Sequence, residues 1–318
     1  MKLKVGTDFS GIGSPEQALK NLGIDFESVF ACEIDKYARQ SYSVIHDEPK
    51  RFYNDITNRD HREVEQLDLY VAGFPCQSFS IAGQRKGFDE ARGTLFFDVA
   101  EFIRINQPKC FILENVIGLL SHDKGRTYQT ITDILTNGGG TLNGQISIDL
   151  FDDGLGYHVY AQVLNTKDYG VPQNRERIFI VGFKDFREFS FPIKEQLQLR
   201  LRDMLQDNPN AKYYLSDKII EGFSKVNERD NIGYKFKPTK GDGVASCINT
   251  KEGSREYNNF IESERIRRLT PLECWRLQDF PDDAFFKAAD VCSDSQLYKQ
   301  AGNSITVAVI QKIIQKIY

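Results

Sequence analysis

The sequence predicts an α/β fold with a mostly parallel sheet, and three observations carry that reading. Apolar runs of strand length recur along the first 180 residues with helical patterns between several of them, the arrangement of a parallel sheet covered on both faces. A glycine turn closes the first run and opens a helix. The last segment, Ser304–Ile317, places Ile305, Val309, Ile313 and Ile317 four residues apart, an amphipathic helix with Ala308, Ile310 and Ile314 widening its stripe.

In chain order, Lys2–Phe9 alternates as a strand and ends on Ser10-Gly11-Ile12-Gly13. Pro15 and Glu16 suit the first turn of a helix, Ala18, Leu19 and Leu22 give its apolar face, and Gly23 its C-cap. Phe26–Ala31 is a second short strand that ends at Glu33. Further strands are expected at Leu67–Ala72, Cys110–Leu113, Val159–Leu164 and Ile178–Gly182, and helices at Phe96–Ile105 and Tyr128–Leu135. The glycine-rich Asn137–Tyr157 stretch reads as a loop insertion. From about Lys184 to Arg268 the alternation is lost, which predicts a smaller, irregular domain.

The chain of 318 residues makes one large domain or two modest ones. With 40% apolar and 27% charged residues it has the balance of a globular protein. No run approaches the ~18 apolar residues of a membrane span, and the start lacks an apolar leader. The expectation is a soluble, cytoplasmic protein. Six scattered cysteines with no Cys-x-x-Cys pair favour neither a disulfide framework nor a structural zinc, so no metal is expected. The net charge of −4 argues, on its face, against a nucleic-acid partner.

Four features carry chemistry. The glycine turn, with an acidic residue 22 positions after Gly11 at Glu33, suits a nucleoside-containing cofactor. A third glycine is missing and Pro15 removes an N–H that a pyrophosphate would use, so a cofactor without phosphates is favoured over a dinucleotide. Cys76, in Gly73-Phe74-Pro75-Cys76-Gln77, lies just past a buried strand and before a polar loop, the place for a nucleophile. The other cysteines read as small buried hydrophobes. Glu114 ends a hydrophobic strand at the same sheet edge, where it could exchange a proton with a ring nitrogen, or simply cap the strand. Arg175 and Arg177, two apart, share a face if the backbone is extended, as an anion- or carbonyl-holding pair or as solvated surface.

Taken together these residues resemble the cytosine-5 DNA methyltransferases of bacterial and phage type. The matching blocks are Phe9-Ser10-Gly11-Ile12-Gly13, Glu33, Asp55-Ile56, Gly73 to Ser80, Arg92-Gly93-Thr94-Leu95-Phe96, Glu114-Asn115-Val116, Gln173-Asn174-Arg175-Glu176-Arg177, Arg268 to Cys274, and Gln300-Ala301-Gly302-Asn303-Ser304. They cover the chain apart from about 184–262 and 137–156.

The resemblance implies a Rossmann-like methyltransferase domain formed by 1–183 and 290–318, a target-recognition domain at 184–266 and a hinge at 267–289. It implies S-adenosylmethionine as cofactor, leaving as S-adenosylhomocysteine. Phe9, Gly11, Ile12, Gly13, Glu33, Ile34, Asp55, Ile56, Pro75, Leu95, Asn303 and Ser304 would contact it. Cys76 would attack carbon 6 of a flipped-out cytosine, Glu114 would hold N3 and the exocyclic amine, Arg177 the base carbonyl, and Arg175 would support it. Gln77, Ser80, Arg92, Arg265, Arg267 and Arg268 would meet double-stranded DNA. The protein would act as a monomer, with a cognate restriction endonuclease acting independently as its candidate partner. The rivals are an RNA (tRNA) cytosine methyltransferase on the same scaffold and a non-catalytic DNA-binding relic. Ser14 stands where many members have a further glycine.

Divided by segment, the charge reads differently. Residues 184–268 hold 17 Lys+Arg against 14 Asp+Glu, a net of +3, and the rest of the chain carries −7. The expected DNA reader is the basic part. The target sequence is not legible.

Overall fold

The structure, a computed structural model, describes residues 2–75, 95–136, 154–227, 238–252, 259–262 and 265–318. It resolves into two compact units: Met1–Leu164 with Glu176–Ile193 and Val309–Tyr318, and Asn165–Arg175 with Lys194–Ala308.

The first unit is built on a seven-stranded sheet. Strand β1 (Leu3–Asp8) leads into α1 (Ser14–Asn21), then β2 (Phe26–Cys32), α2 (Lys36–Ile45) and β3 (Arg51–Tyr53). After β4 (Leu69–Ala72) come α3 (Leu95–Asn106), β5 (Cys110–Val116), α4 (Arg126–Leu135), β6 (His158–Asn165) and β8 (Glu176–Phe183). The strand order is β3-β2-β1-β4-β5-β8-β6. The first five strands are parallel and β8 is antiparallel to β5, so the sheet is mixed but mostly parallel. The chain winds outward from β1 to β3, then returns to β1's other side as β4. That reversal makes the β1/β4 edge a switch point, where open α/β sheets bind ligands.

Local sequence explains the helix starts. Gly13 takes the left-handed conformation (φ 81°) at the N-cap of α1, with Pro15 in its first turn. Asp35 caps α2 by accepting from the Tyr37 and Ala38 amides. Helix α2, whose stripe Ala38, Tyr42, Ile45 is buried, is an element the sequence reading did not anticipate. The core between sheet and helices is aromatic: Phe30, Tyr70, Phe96, Phe102 and Phe111 are all fully buried. The final helix α9 (Val307–Ile317) sends Gln311 to accept from Asn21 of α1 at 3.0 Å.

Among the described residues the strands of the second unit are short: β7 (Gln173–Asn174), β9 (Thr239–Lys240), β10 (Ala245–Ser246), β11 (Phe260–Glu262) and β12 (Arg267–Arg268). Its helices are α5 (Asp217–Asn227), α6 (Pro271–Arg276), α7 (Asp282–Ala289) and α8 (Asp294–Asn303). A reciprocal capping box between Thr270 and Glu273 starts α6, and Trp275 is its buried centre, against the rings of Phe280 and Phe285. This partition follows packing, whereas the expected division at 184, 267 and 290 is one of function. Residues 194–308 pack as a single unit, and 309–318 belong with the sheet.

Among the described residues no helix is long and apolar enough to cross a membrane.

Candidate active site

Strand register sets the site in the first unit. Asp8 pairs with Cys32 and Ala72, Cys32 with Tyr53, and Ala72 with Leu113, so these five residues form one row across the parallel strands. The residues that follow them, Phe9, Glu33, Gly73, Asn54 and Glu114, therefore leave the row at one edge. A glycine turn, two acids and the segment leading to Cys76 thus share the carboxyl edge.

The glycine turn is held from both sides. Phe9 (φ 54°) and Gly11 (φ 55°) are left-handed, and the Ser10 amide donates to Cys32 O. Glu33 Oε2 accepts from the Gly11 amide at 2.9 Å and Oε1 from the Asp35 amide at 2.8 Å. Burial raises the Glu33 carboxyl above its ordinary value, and those two amides partly offset the shift. Beneath the turn His46 Nε2 donates to Ile12 O at 2.9 Å, and a Cβ on Gly13 would sit 2.3 Å from that nitrogen. Ile12 is fully buried, whereas Ile34 is 74% exposed beside Glu33.

Asp55 caps its own turn, accepting from Thr57 N and Oγ1 at 2.9 and 2.8 Å. Ile56 is packed in the core and Leu95 against it. Pro75 is exposed, and Phe74, buried against the Phe96 ring, fixes the chain just before it. Asn115 Nδ2 donates to Phe74 O at 2.9 Å, tying that segment to β5. Cys76, Gln77, Ser80 and Arg92 lie outside the described residues.

Glu114 is 9% exposed, and Arg177 Nε lies 3.0 Å from its Oε1. The antiparallel register pairs Val116 with Arg177. Glu114 and Val116, two apart, share a face, so Arg177 reaches Glu114 diagonally across the strands.

Arg175 requires a correction. The expectation was a guanidinium supporting Arg177 from the same face, but β7 ends at Asn174 and β8 starts at Glu176, so no continuous strand carries the two arginines. Arg175 is 3% exposed within the second unit, where its Nη1 donates to Ile248 O at 2.9 Å and Nη2 to Gly302 O and Ser304 O at 3.1 and 2.8 Å.

Arg267 is the second correction. It is buried, and both Nη atoms donate to the Glu273 carboxylate at 2.8 Å, which removes it from the residues that can face phosphate. Arg265 and Arg268 instead lie over the rings of Tyr214 and Tyr213, at 5.2 and 5.6 Å. Asn303 is exposed and Ser304 buried.

Sequence reasoning missed three supports. His46 belongs to no motif, and Asn115, though part of the Glu114-Asn115-Val116 block, had no role assigned to it; both act through backbone carbonyls. The third is a buried pair: Arg59 grips Asp8 with both Nη atoms at 2.8 and 2.7 Å, Tyr70 OH donates to the same carboxylate at 2.7 Å, and the guanidinium lies over Phe30 and Phe102 at 4.3 and 4.6 Å. Among the described residues no cluster of His, Cys, Asp or Glu could hold a metal ion.

Residues 5–318 match the family model described as C-5 cytosine-specific DNA methylase. The type II methyltransferase M.HpaII of Haemophilus parainfluenzae is 39% identical, over 97% of this chain and 88% of its own. M.NlaX of Neisseria lactamica, also a type II methyltransferase, is 36% identical over 97% and 94%. Among solved structures, the S. pombe Dnmt2 methyltransferase superposes with a TM-score of 0.73 at 18% identity, over 99% of this chain and 97% of that one, a likeness of fold. The family match spans nearly the whole chain, and the relatives exceed a third in identity across most of both lengths. This chain belongs to the C-5 cytosine-specific DNA methylase family.

Proposed function

We propose that the protein transfers a methyl group from S-adenosylmethionine to carbon 5 of a cytosine flipped out of duplex DNA. The observation that carries the reading is the Glu114–Arg177 pair on the carboxyl edge that also bears the glycine turn and the segment entering Cys76.

The residues at the turn fit the cofactor. Glu33 offers a carboxylate to ribose hydroxyls, Ile34 an exposed apolar side chain beside it, and the left-handed Phe9 and Gly11 a close backbone approach. The buried Ser10 Oγ has no hydrogen-bond partner among the described residues. Asp55 and Ile56 are assigned to the adenine side, Pro75 and Leu95 beside it, and Asn303 and Ser304 to the methionine end. When bound, the cofactor supplies an electrophilic methyl group.

The protein's own residues do the rest. The Cys76 thiolate adds to carbon 6, and the ring electrons move toward carbon 5 and N3. Glu114 hydrogen-bonds N3 and the exocyclic amine and offsets the charge that develops there. Arg177 holds both Glu114 and the base carbonyl. Once carbon 5 carries the methyl group its proton passes to water, and the electrons of that C–H bond re-form the double bond between carbons 5 and 6 as Cys76 leaves as thiolate. A cytosine inside the duplex is out of reach, so the base must leave the stack. Arg265 and Arg268 supply phosphate contacts, and Gln77, Ser80 and Arg92 meet the DNA. The type II names of the relatives favour a setting alongside an independently acting endonuclease.

The test is a duplex carrying 5-fluorocytosine at the target. Fluorine cannot leave as a proton does, so the adduct is trapped. A mass shift on the Cys76 peptide, absent in Cys76→Ser, is expected; a Cys76→Ser enzyme that still methylates DNA overturns the assignment.

A further inference from the structure

Strand β7 works as a bolt inside the second unit. It pairs in parallel with β10, Ala245 against Gln173 and Ser246 against Asn174. Gln173, fully buried, accepts from the Ile248 amide at 2.9 Å and donates to Leu277 O at 2.6 Å. Arg175 continues the pattern. Each Nη nitrogen serves two acceptors: Nη1 the Ile248 carbonyl and Cys247 Sγ, Nη2 the carbonyls of Gly302 and Ser304. A guanidinium has two hydrogens on each Nη, so all four are committed to this unit's own chain.

These contacts converge on one turn. Gly302 is jammed against the 249–250 backbone, where an added Cβ would lie 2.4 Å from Asn249 C and Thr250 N. Gln278 holds the other side, donating to Ala301 O at 2.8 Å and accepting from Thr306 Oγ1 at 2.7 Å. The carbonyls on either side of Asn303 are both pinned, and Asn303 itself is exposed.

We infer that Arg175 is a positioning residue for cofactor binding. It ties the 245–250 stretch to the Gly302–Ser304 turn and so holds Asn303 in its binding conformation, acting through that turn and not on the base. The inference rests on the proposed assignment of Asn303 and Ser304 to the cofactor. Its consequence is a division between neighbours: loss of Arg177 is felt in the chemical step, loss of Arg175 in cofactor affinity.

The experiment is equilibrium binding of S-adenosylhomocysteine to the full chain without DNA, together with kcat and its pH profile at saturating S-adenosylmethionine on duplex DNA. It compares wild type, Arg175→Gln, Arg175→Lys and Asn303→Ala. Arg175→Gln is expected to weaken binding tenfold or more, with kcat within threefold of wild type and an unchanged pH profile. Arg175→Lys, which keeps the charge, recovers part of the loss. Wild-type binding by Arg175→Gln with kcat down a hundredfold overturns the inference and returns Arg175 to the base. If Asn303→Ala binds normally, the assignment of the turn falls and the inference with it. If Asn303→Ala is weak and Arg175→Gln is not, only the inference falls. Should Arg175→Gln not fold, Gly302→Ala disturbs the same turn with Arg175 intact: a tenfold loss of binding supports the bolt, and wild-type binding by the folded variant overturns it.

Discussion

Arg177 Nε and Glu114 Oε1 stand 3.0 Å apart because Arg177 pairs with Val116 across an antiparallel strand boundary. A sheet whose first five strands are parallel gains a reversed strand at the point where a cation must meet the acid of β5. The pair is mostly shielded from water, which strengthens it and makes its separation costly. Glu114→Gln keeps the shape and removes the charge; kcat is expected to fall about 10²-fold or more with the melting temperature little changed. Arg177→Leu also leaves the carboxylate without its cation, so about 1–3 kcal/mol of stability is lost as well. Single-turnover kinetics beside thermal melts separate the two effects.

Asn115 holds the backbone that leads to Cys76. Asn115→Asp places an acceptor against Phe74 O where a donor stood, a repulsion expected to reduce kcat at least tenfold while cofactor affinity stays at the wild-type level. A matching loss of cofactor affinity would mean that Asn115 supports the glycine turn and not the Cys76 segment.

Cofactor affinity should depend on pH through Glu33. Burial raises this carboxyl above the ordinary value near 4.5, so free protein still holds the proton as pH climbs past that value. Ribose hydroxyls bind the carboxylate better. Affinity is therefore expected to rise with pH through the window above 4.5 and then level off, with proton release on binding inside the window. Calorimetry in buffers of different ionisation enthalpy measures the release, and Glu33→Gln should abolish both the release and the slope.

Asp279 offers a stability test away from the site. Its amide donates to Arg276 O and that of Phe280 to Trp275 O, a Schellman end to α6 with Asp279 left-handed at φ 63°. Burial also pushes its carboxyl up to about 6. Below the ordinary value of 3.8 the group is neutral in both folded and unfolded chains and costs nothing. Stability falls as pH rises from 3.8 to about 6, and the loss is complete above. Asp279→Gly is expected to raise stability at neutral pH by about 1 kcal/mol or more, and Asp279→Asn to flatten the pH dependence; melts at pH 4 and 8 check both.

Exchanging 184–262 for the matching segment of another family member should move the methylated sequence. The exchange must respect β10, because Ala245–Ser246 pairs with Gln173–Asn174. Methylation mapping across a genome free of other cytosine methylation reads the outcome, and an unmoved site would place recognition elsewhere.

Much of this was legible in the sequence, for a physical reason. Turns and strand ends are local, so the glycine turn, Glu33 and Glu114 declare themselves by neighbours within a few residues. The helices at Leu95–Asn106 and Arg126–Leu135 follow from their apolar spacing. Arg175 and Arg267 misled because i, i+2 spacing assigns a shared face only while a strand continues, and the strand breaks between Asn174 and Glu176. Exposed and buried arginines also look alike until their partners are known: Glu273 for Arg267, and carbonyls as distant as Ser304 for Arg175. The Asp8–Arg59 pair spans 51 residues and leaves no periodic trace. The charge of −4, which first argued against DNA, is a sum over segments of opposite sign.

The most direct test of the account is the chemical identity of the product. Purified protein is incubated with duplex DNA and isotopically labelled S-adenosylmethionine, and the DNA is digested to nucleosides for mass spectrometry. The account predicts label in 5-methyldeoxycytidine, abolished by Cys76→Ser and by Glu114→Gln. Label in N4-methylcytosine or N6-methyladenine, or label in tRNA and none in the duplex, would contradict it.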